Sequence, residues 1–151
     1  MQKLHFSIHI NASKEKVWNT MLEDATYRQW TAPFNPAGSY YEGSWDEGAE
    51  MRFLGPSQDG STIGGMISRI KENRLHEFLS IEHLGMIENG VIDTASEKVK
   101  AWTPAFENYT FTEKDGGTEL TIDADSNEEY AEMFSDMWPK ALEILKGLAE
   151  K

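Results

Sequence analysis

Apolar and polar residues alternate near the start of the chain, with Leu4, Phe6, Ile8 and Ile10 on one side and Lys3, His5, Ser7 and His9 on the other. A period of two is that of a strand with one face in a core. The period changes after Asn11-Ala12-Ser13. Ser13 stands where a helix cap belongs, and Val17, Trp18, Met21 and Leu22 share one helical face. A second short helix is predicted over Asp24 to Trp30, ended by Pro33 and Pro36.

The middle of the chain reads as strands over Ser39 to Asp46, Ala49 to Leu54, Ser61 to Lys71 and Leu75 to Leu84. Glu47-Gly48, the loop 55–60 and Glu72-Asn73-Arg74 divide them. Gly64-Gly65 inside the third predicts a bulge or sharp bend, which lets a sheet curl. From Met86 to Pro104 the strand rhythm lapses. There Thr94-Ala95-Ser96-Glu97 has capping-box spacing, with Val99 and Trp102 behind it, so a short helix is predicted between strands. Strands resume over Phe106 to Lys114 and Thr118 to Asp125, joined by Asp115-Gly116-Gly117.

The last element is the longest. Tyr130, Phe134, Trp138, Ala141, Leu145 and Leu148 recur at three and four, and Met133, Met137 and Ile144 widen the stripe. A helix over Glu128 to Leu148 spans roughly 30 Å at 1.5 Å per residue. Pro139 inside it removes a backbone donor and predicts a kink. The order is strand, two helices, six strands with one helical insertion, then a long helix. It predicts one α+β domain over 1–151, a curved antiparallel sheet wrapped around a C-terminal helix.

Composition narrows the partners. A chain of 151 residues buries a core without staples, and the absence of cysteine excludes disulfides and thiolate metal sites. With 14 basic and 26 acidic residues the net charge is −12, which repels phosphate backbones and anionic lipid, so neither nucleic acid nor a membrane is expected as a partner. No apolar run approaches the roughly 20 residues of a membrane span. Met1 leads straight into the first strand without the apolar core of a signal peptide, and a cytoplasmic location is expected.

Motifs for chemistry are missing. His5 and His9 share the outer face of a strand at about 13 Å, too far apart for one metal ion. No zinc-ligand spacing, phosphate loop or serine-nucleophile motif occurs. The acidic run 123–129 lacks the glycine and final glutamate of a calcium loop and reads as a helix start, with carboxylates at the positive end of the dipole. No cofactor, metal or catalytic residue is assigned.

The element order, with Ala12-Ser13-Lys14-Glu15-Lys16-Val17-Trp18, Trp30-Thr31, Gly65-Met66-Ile67-Ser68-Arg69-Ile70, Leu75-His76-Glu77-Phe78 and Gly116-Gly117-Thr118-Glu119-Leu120-Thr121, resembles the START-like helix-grip superfamily over nearly the whole chain. Within it the chain is similar to bacterial relatives of the activator of Hsp90 ATPase. The resemblance implies a cavity under the last helix and a ligand-binding role, a chaperone-contacting role or cyclase or dehydratase chemistry. It also implies a glycine before the tryptophan of the last helix, where this chain has Met137-Trp138-Pro139.

A helix across a concave sheet leaves space where the two surfaces diverge. Trp30, Phe34, Tyr41, Trp45, Met51, Phe53, Met66, Ile81, Tyr109, Phe111, Met133, Met137 and Trp138 are the candidates to line it, since aromatic and thioether groups suit adaptable apolar pockets. His83 shares a strand face with Leu79 and Ile81, and Glu107 shares one with Tyr109 and Phe111, so both are candidate polar groups of that pocket. The expected partner is a small apolar or amphipathic molecule, entering past Met86–Trp102 as a lid. An Hsp90-type chaperone is the alternative partner, and an enzyme using His83 with Glu77, Glu82 or Glu107 is a third reading. The residues leave monomer and homodimer equally open.

Overall fold

Residues 1–151 are described by a computed structural model. In chain order the elements are β1 (Gln2–Ile10), α1 (Lys14–Leu22), α2 (Asp24–Trp30), a 3-10 turn (Ala32–Phe34), β2 (Tyr40–Gly43), β3 (Glu50–Pro56), β4 (Ile63–Arg74), β5 (Phe78–Glu88), β6 (Val91–Asp93), α3 (Glu97–Lys100), β7 (Ala105–Lys114), β8 (Gly117–Ser126) and α4 (Glu128–Ala149). All strand pairs are antiparallel, in the order β1-β8-β7-β5-β4-β3-β2. β6 pairs with the end of β5, continuing the edge that β7 leaves at His83. This is the α+β helix-grip architecture: a curved sheet holding α4.

Local chemistry sets the element ends. Ser13 caps α1, its Oγ accepting the Lys16 N–H. Asn127 caps α4 by accepting from the Glu129 N–H, and Glu128 and Glu129 place negative charge in the first turn. The rest of the acidic run belongs to β8, where Asp123 meets His5 at 2.6 Å and Asp125 meets Lys3 at 2.8 Å.

Several sequence expectations shift. β4 runs on through the residues expected to turn, Glu72 to Arg74, and the reversal falls on Leu75 to Glu77, with His76 at φ 63°. β2 is confined to Tyr40–Gly43. β5 continues to Glu88 where the strand rhythm was expected to lapse, and Asn89-Gly90 turns it into β6, an eighth strand, with φ 49° and 82°. Asn-Gly with both residues at positive φ is a favoured two-residue hairpin turn. The cap of α3 is Ser96 rather than Thr94: Ser96 Oγ accepts from the Val99 N–H, and Asp93 accepts from the N–H groups of Ala95 and Ser96.

The bulges fall after Gly64-Gly65, between Ile67 and Ser68 and between Ile70 and Glu72, while both glycines pair in register. Gly65 is needed for a different reason. A Cβ there would lie 1.7 Å from the Phe53 carbonyl oxygen, closer than any side chain permits.

α4 passes through Pro139 as one helix of 22 residues. Its C-terminal half carries Trp138, Ala141, Leu142, Leu145 and Ala149 into the main core with Ile10, Val17, Trp18, Phe111, Leu120 and Ile122. Lys146 Nζ donates to the His9 carbonyl at 2.9 Å, and Glu150 accepts the Asn11 N–H at 2.8 Å, tying that end to β1. The N-terminal half stands away: Tyr130 and Met133 are 46% and 43% exposed.

Replacing Gly65 by Ala is expected to lower the stability of the fold by about 1–3 kcal/mol, the usual cost of overpacking. Urea denaturation measures this, and an unchanged midpoint would contradict the close approach of β3 and β4.

Candidate functional site

Between the sheet and the N-terminal half of α4 lies a cavity of about 680 Å³. That is within the usual range for small-molecule sites. Of its 35 lining residues 22 are hydrophobic, so a guest would meet a mostly apolar wall. Period-two alternation turns Phe53, Met66, Ile81, His83, Glu107 and Tyr109 to this side of the sheet. α2 and the 3-10 turn add Trp30 and Phe34. Trp138 closes the floor from α4, with ring centroids 4.9 Å from Phe34, 5.8 Å from Phe6, 6.1 Å from Tyr109 and 6.2 Å from Trp30.

The structure therefore brings together Trp30, Phe34, Trp45, Phe53, Met66, Ile81, His83, Glu107, Tyr109 and Trp138 around one space. It leaves five other candidates outside. Met51 and Phe111 share the concave face but are packed over entirely, Phe111 by Trp18 at 5.2 Å. Tyr41 lies on β2 with its hydroxyl donating to the Leu22 carbonyl at 2.6 Å and its ring edge-on to Tyr27 and Trp45. Met133 and Met137 lie on α4 but do not line the cavity, Met133 being 43% exposed. Strand alternation identifies a face but not how deeply a neighbouring helix covers it.

Sequence reasoning missed Leu4, Tyr27, Leu79, Tyr130 and Phe134 among the lining residues. Tyr27 could have been found from its spacing of three from Trp30, and their rings do meet edge-on at 5.8 Å. Lys98, Ala101 and Trp102 put the segment between β5 and β7 on the rim, beside Met86 near the end of β5.

The polar groups of the wall form a chain. Ser68 Oγ lies 2.7 Å from His83 Nδ1, and His83 Nε2 lies 3.1 Å from Glu107 Oε1. The Tyr109 hydroxyl donates to the other oxygen of Glu107. Glu77 and Glu82 do not join it: Glu77 pairs with Lys14, and Glu82 turns to the convex face to meet Arg69 at 2.6 Å. Burial pushes the Glu107 carboxyl up, but the hydrogen bonds from His83 and Tyr109 outweigh it and hold the group below the usual carboxylate value. Burial, reinforced by the nearby Glu107 charge, pushes the phenols of Tyr109 and Tyr27 well above the ordinary tyrosine range.

Ser68 is only 1% exposed and does not line the cavity, so its hydroxyl cannot reach a guest as a nucleophile. The arrangement can orient and hydrogen-bond a guest at Glu107. No group of three or more histidine or acidic side chains is placed to hold a metal ion. No helix is long and apolar enough to cross a membrane.

Residues 11–150 match the family described as Activator of Hsp90 ATPase homolog 1-like protein. The chain belongs to this family. Solved structures share the fold at low identity. A protein from Nitrosomonas europaea is 16% identical, with a TM-score of 0.75, over 97% of this chain and 92% of its own. A solution structure from Cytophaga hutchinsonii is 18% identical, with a TM-score of 0.71, over 99% and 94%. The Aha1 dimer from Colwellia psychrerythraea, also solved in solution, is 16% identical with a TM-score of 0.68, over 99% and 97%. No curated protein matches by sequence.

Two consequences are measurable. Of the five tyrosines, Tyr27 and Tyr109 are expected to stay protonated at pH about 11, so a phenolate absorbance titration of the folded protein should stop short of five groups. Glu107, with its folded value depressed, contributes stability that is full above the ordinary carboxylate range and is lost as pH falls through that lower value. Glu107→Gln should therefore cost less stability at pH about 3 than at pH about 6, as read from denaturation midpoints.

Proposed function

We propose that this member of the family binds a small apolar or amphipathic molecule in the cavity beneath α4. The observation that carries the reading is the 680 Å³ of space left between an aromatic wall and a helix whose other half is tightly packed. A core that serves stability alone is filled to high density, because voids forfeit dispersion contacts. The segment between β5 and β7, with Ala101 and Trp102 on the rim beside Met86 of β5, acts as the lid. The aromatic wall grips the guest, and Glu107 fixes its polar end.

The family supports a second reading, in which a surface of the domain contacts an Hsp90-type chaperone and two copies associate as in the Colwellia Aha1 dimer. The cytoplasm is the compartment in which either role is expected. Stimulation of ATP hydrolysis by the host's Hsp90-type chaperone would favour this reading.

The cavity reading is tested with N-phenyl-1-naphthylamine, a neutral probe that brightens in apolar surroundings. Saturable one-site binding at micromolar probe is expected, together with quenching of tryptophan emission, since Trp30, Trp45, Trp102 and Trp138 line the space. Ala101→Trp, at an exposed rim position, should weaken binding about tenfold without lowering stability. Absence of saturable binding to the wild type would refute the proposal.

A further inference from the structure

The hydrogen bonding of the buried Ser68–His83–Glu107 chain fixes its charge. An ionised carboxylate only accepts, so His83 Nε2 carries a proton and donates it to Glu107. Ser68 Oγ has no partner other than His83 Nδ1 and is shut off from solvent. If Nδ1 accepts the serine proton, every group in the chain is satisfied. If Nδ1 also carried a proton, the serine hydroxyl would be left without an acceptor, a buried polar group at a cost. The satisfied arrangement is a neutral imidazole beside an anionic carboxylate, one net negative charge in the wall.

That charge is incompletely neutralised. Glu107 forms no ion pair with lysine or arginine, whereas Asp125, another acidic group lining the cavity, is paired with Lys3. Its two oxygens accept one hydrogen bond each from the protein, about half of what a carboxylate can take. Its side chain is 24% exposed and lines the cavity, so the free lone pairs open onto that space. The same cavity is lined by the rings of Tyr27, Phe53, Trp45 and Trp30, and an aromatic π-face attracts a cation and repels an anion.

Resting on the ligand-binding reading above, we propose that the cavity is selective for an amphipathic amine, bound as the ammonium. The apolar body lies along the aromatic wall, and the ammonium donates to Glu107, supplying the counter-charge that the chain itself does not. A carboxylic acid of the same body would set two anions together in an apolar space, and an alcohol would gain a hydrogen bond without the charge.

Calorimetric titration at neutral pH with three probes sharing one body tests this: 2-(2-naphthyl)ethylamine, 2-(2-naphthyl)ethanol and 3-(2-naphthyl)propanoic acid. The amine should bind at least about tenfold more tightly than the alcohol, and the acid most weakly. Because the chain carries a net charge of −12, the comparison is repeated in about 0.5 M salt, where attraction to surface charge is screened and a contact inside the cavity is retained. Glu107→Gln should abolish the preference, bringing the amine's affinity down to that of the alcohol in the same variant. An amine that binds no better than the alcohol in the wild type, or whose advantage disappears in salt or survives Glu107→Gln, would overturn the inference. If N-phenyl-1-naphthylamine still binds, the cavity reading stands without it; if no probe binds, both fall.

Discussion

Trp138 is the contact on which the shape of this molecule depends. It stacks on Phe6 of the first strand and meets Trp30, Phe34 and Tyr109 at 4.9 to 6.2 Å, so one indole joins the sheet, α2 and the 3-10 turn to α4. On its C-terminal side small and branched residues, Ala141, Leu142, Leu145 and Ala149, bring the helix down onto the core. On its N-terminal side the same helix carries Tyr130, Met133 and Phe134, and the sheet curves away from it. Large-ring packing at one level of a continuous helix sets a minimum distance there, and the space beyond that level is the cavity. Floor and void are thus consequences of one side chain.

The polar chain obeys a related constraint. An acidic group in an apolar wall is tolerated only with donors around it. His83 and Tyr109 provide them to Glu107, and Ser68 in turn fixes the ring of His83. Three strands contribute, Ser68 from β4, His83 from β5, and Glu107 and Tyr109 from β7. The register of the sheet therefore decides whether this group is held ionised. The bulge between Ile67 and Ser68, opposite the step from His83 to Gly85, sets the facing of both residues. A bulge is a register device here.

Much of the architecture was legible because it follows from periodicity: β1, α1, α2, β7, β8 and α4 come from alternation or helical spacing with a cap or turn at each end. The middle was harder. Glu72-Asn73-Arg74 has turn composition, yet the strand runs through it, since the pairing of Asn73 with Leu79 and Arg74 with Phe78 outweighs local preference. Asn89-Gly90 was a legible hairpin signal, but the flanking strand is only three residues long, too short for a period to show. At the site, inward facing could be read for His83, Glu107 and Tyr109 from their strand neighbours. Depth could not: Phe111 lies two residues beyond Tyr109 on the same face, and only the position of α1 and Trp18 removes it from the cavity. Tyr27 belongs to a short helix whose approach to the wall is a tertiary matter.

The order of strands has a consequence for how such a chain comes to be folded. β1 sits beside β8, pairing Gln2 with Ser126 and Ile10 with Thr118, and the end of α4 is fastened to the carbonyl of His9 and the amide of Asn11. During synthesis β1 thus has no strand partner until more than a hundred further residues exist. Its alternating apolar edge must wait unpaired during that interval, and closure over so long a loop carries an entropic penalty that local helix formation does not repay. Slow, late completion of the fold, with Leu4, Phe6 and Ile8 open to other chains in the meantime, is built into the connectivity itself.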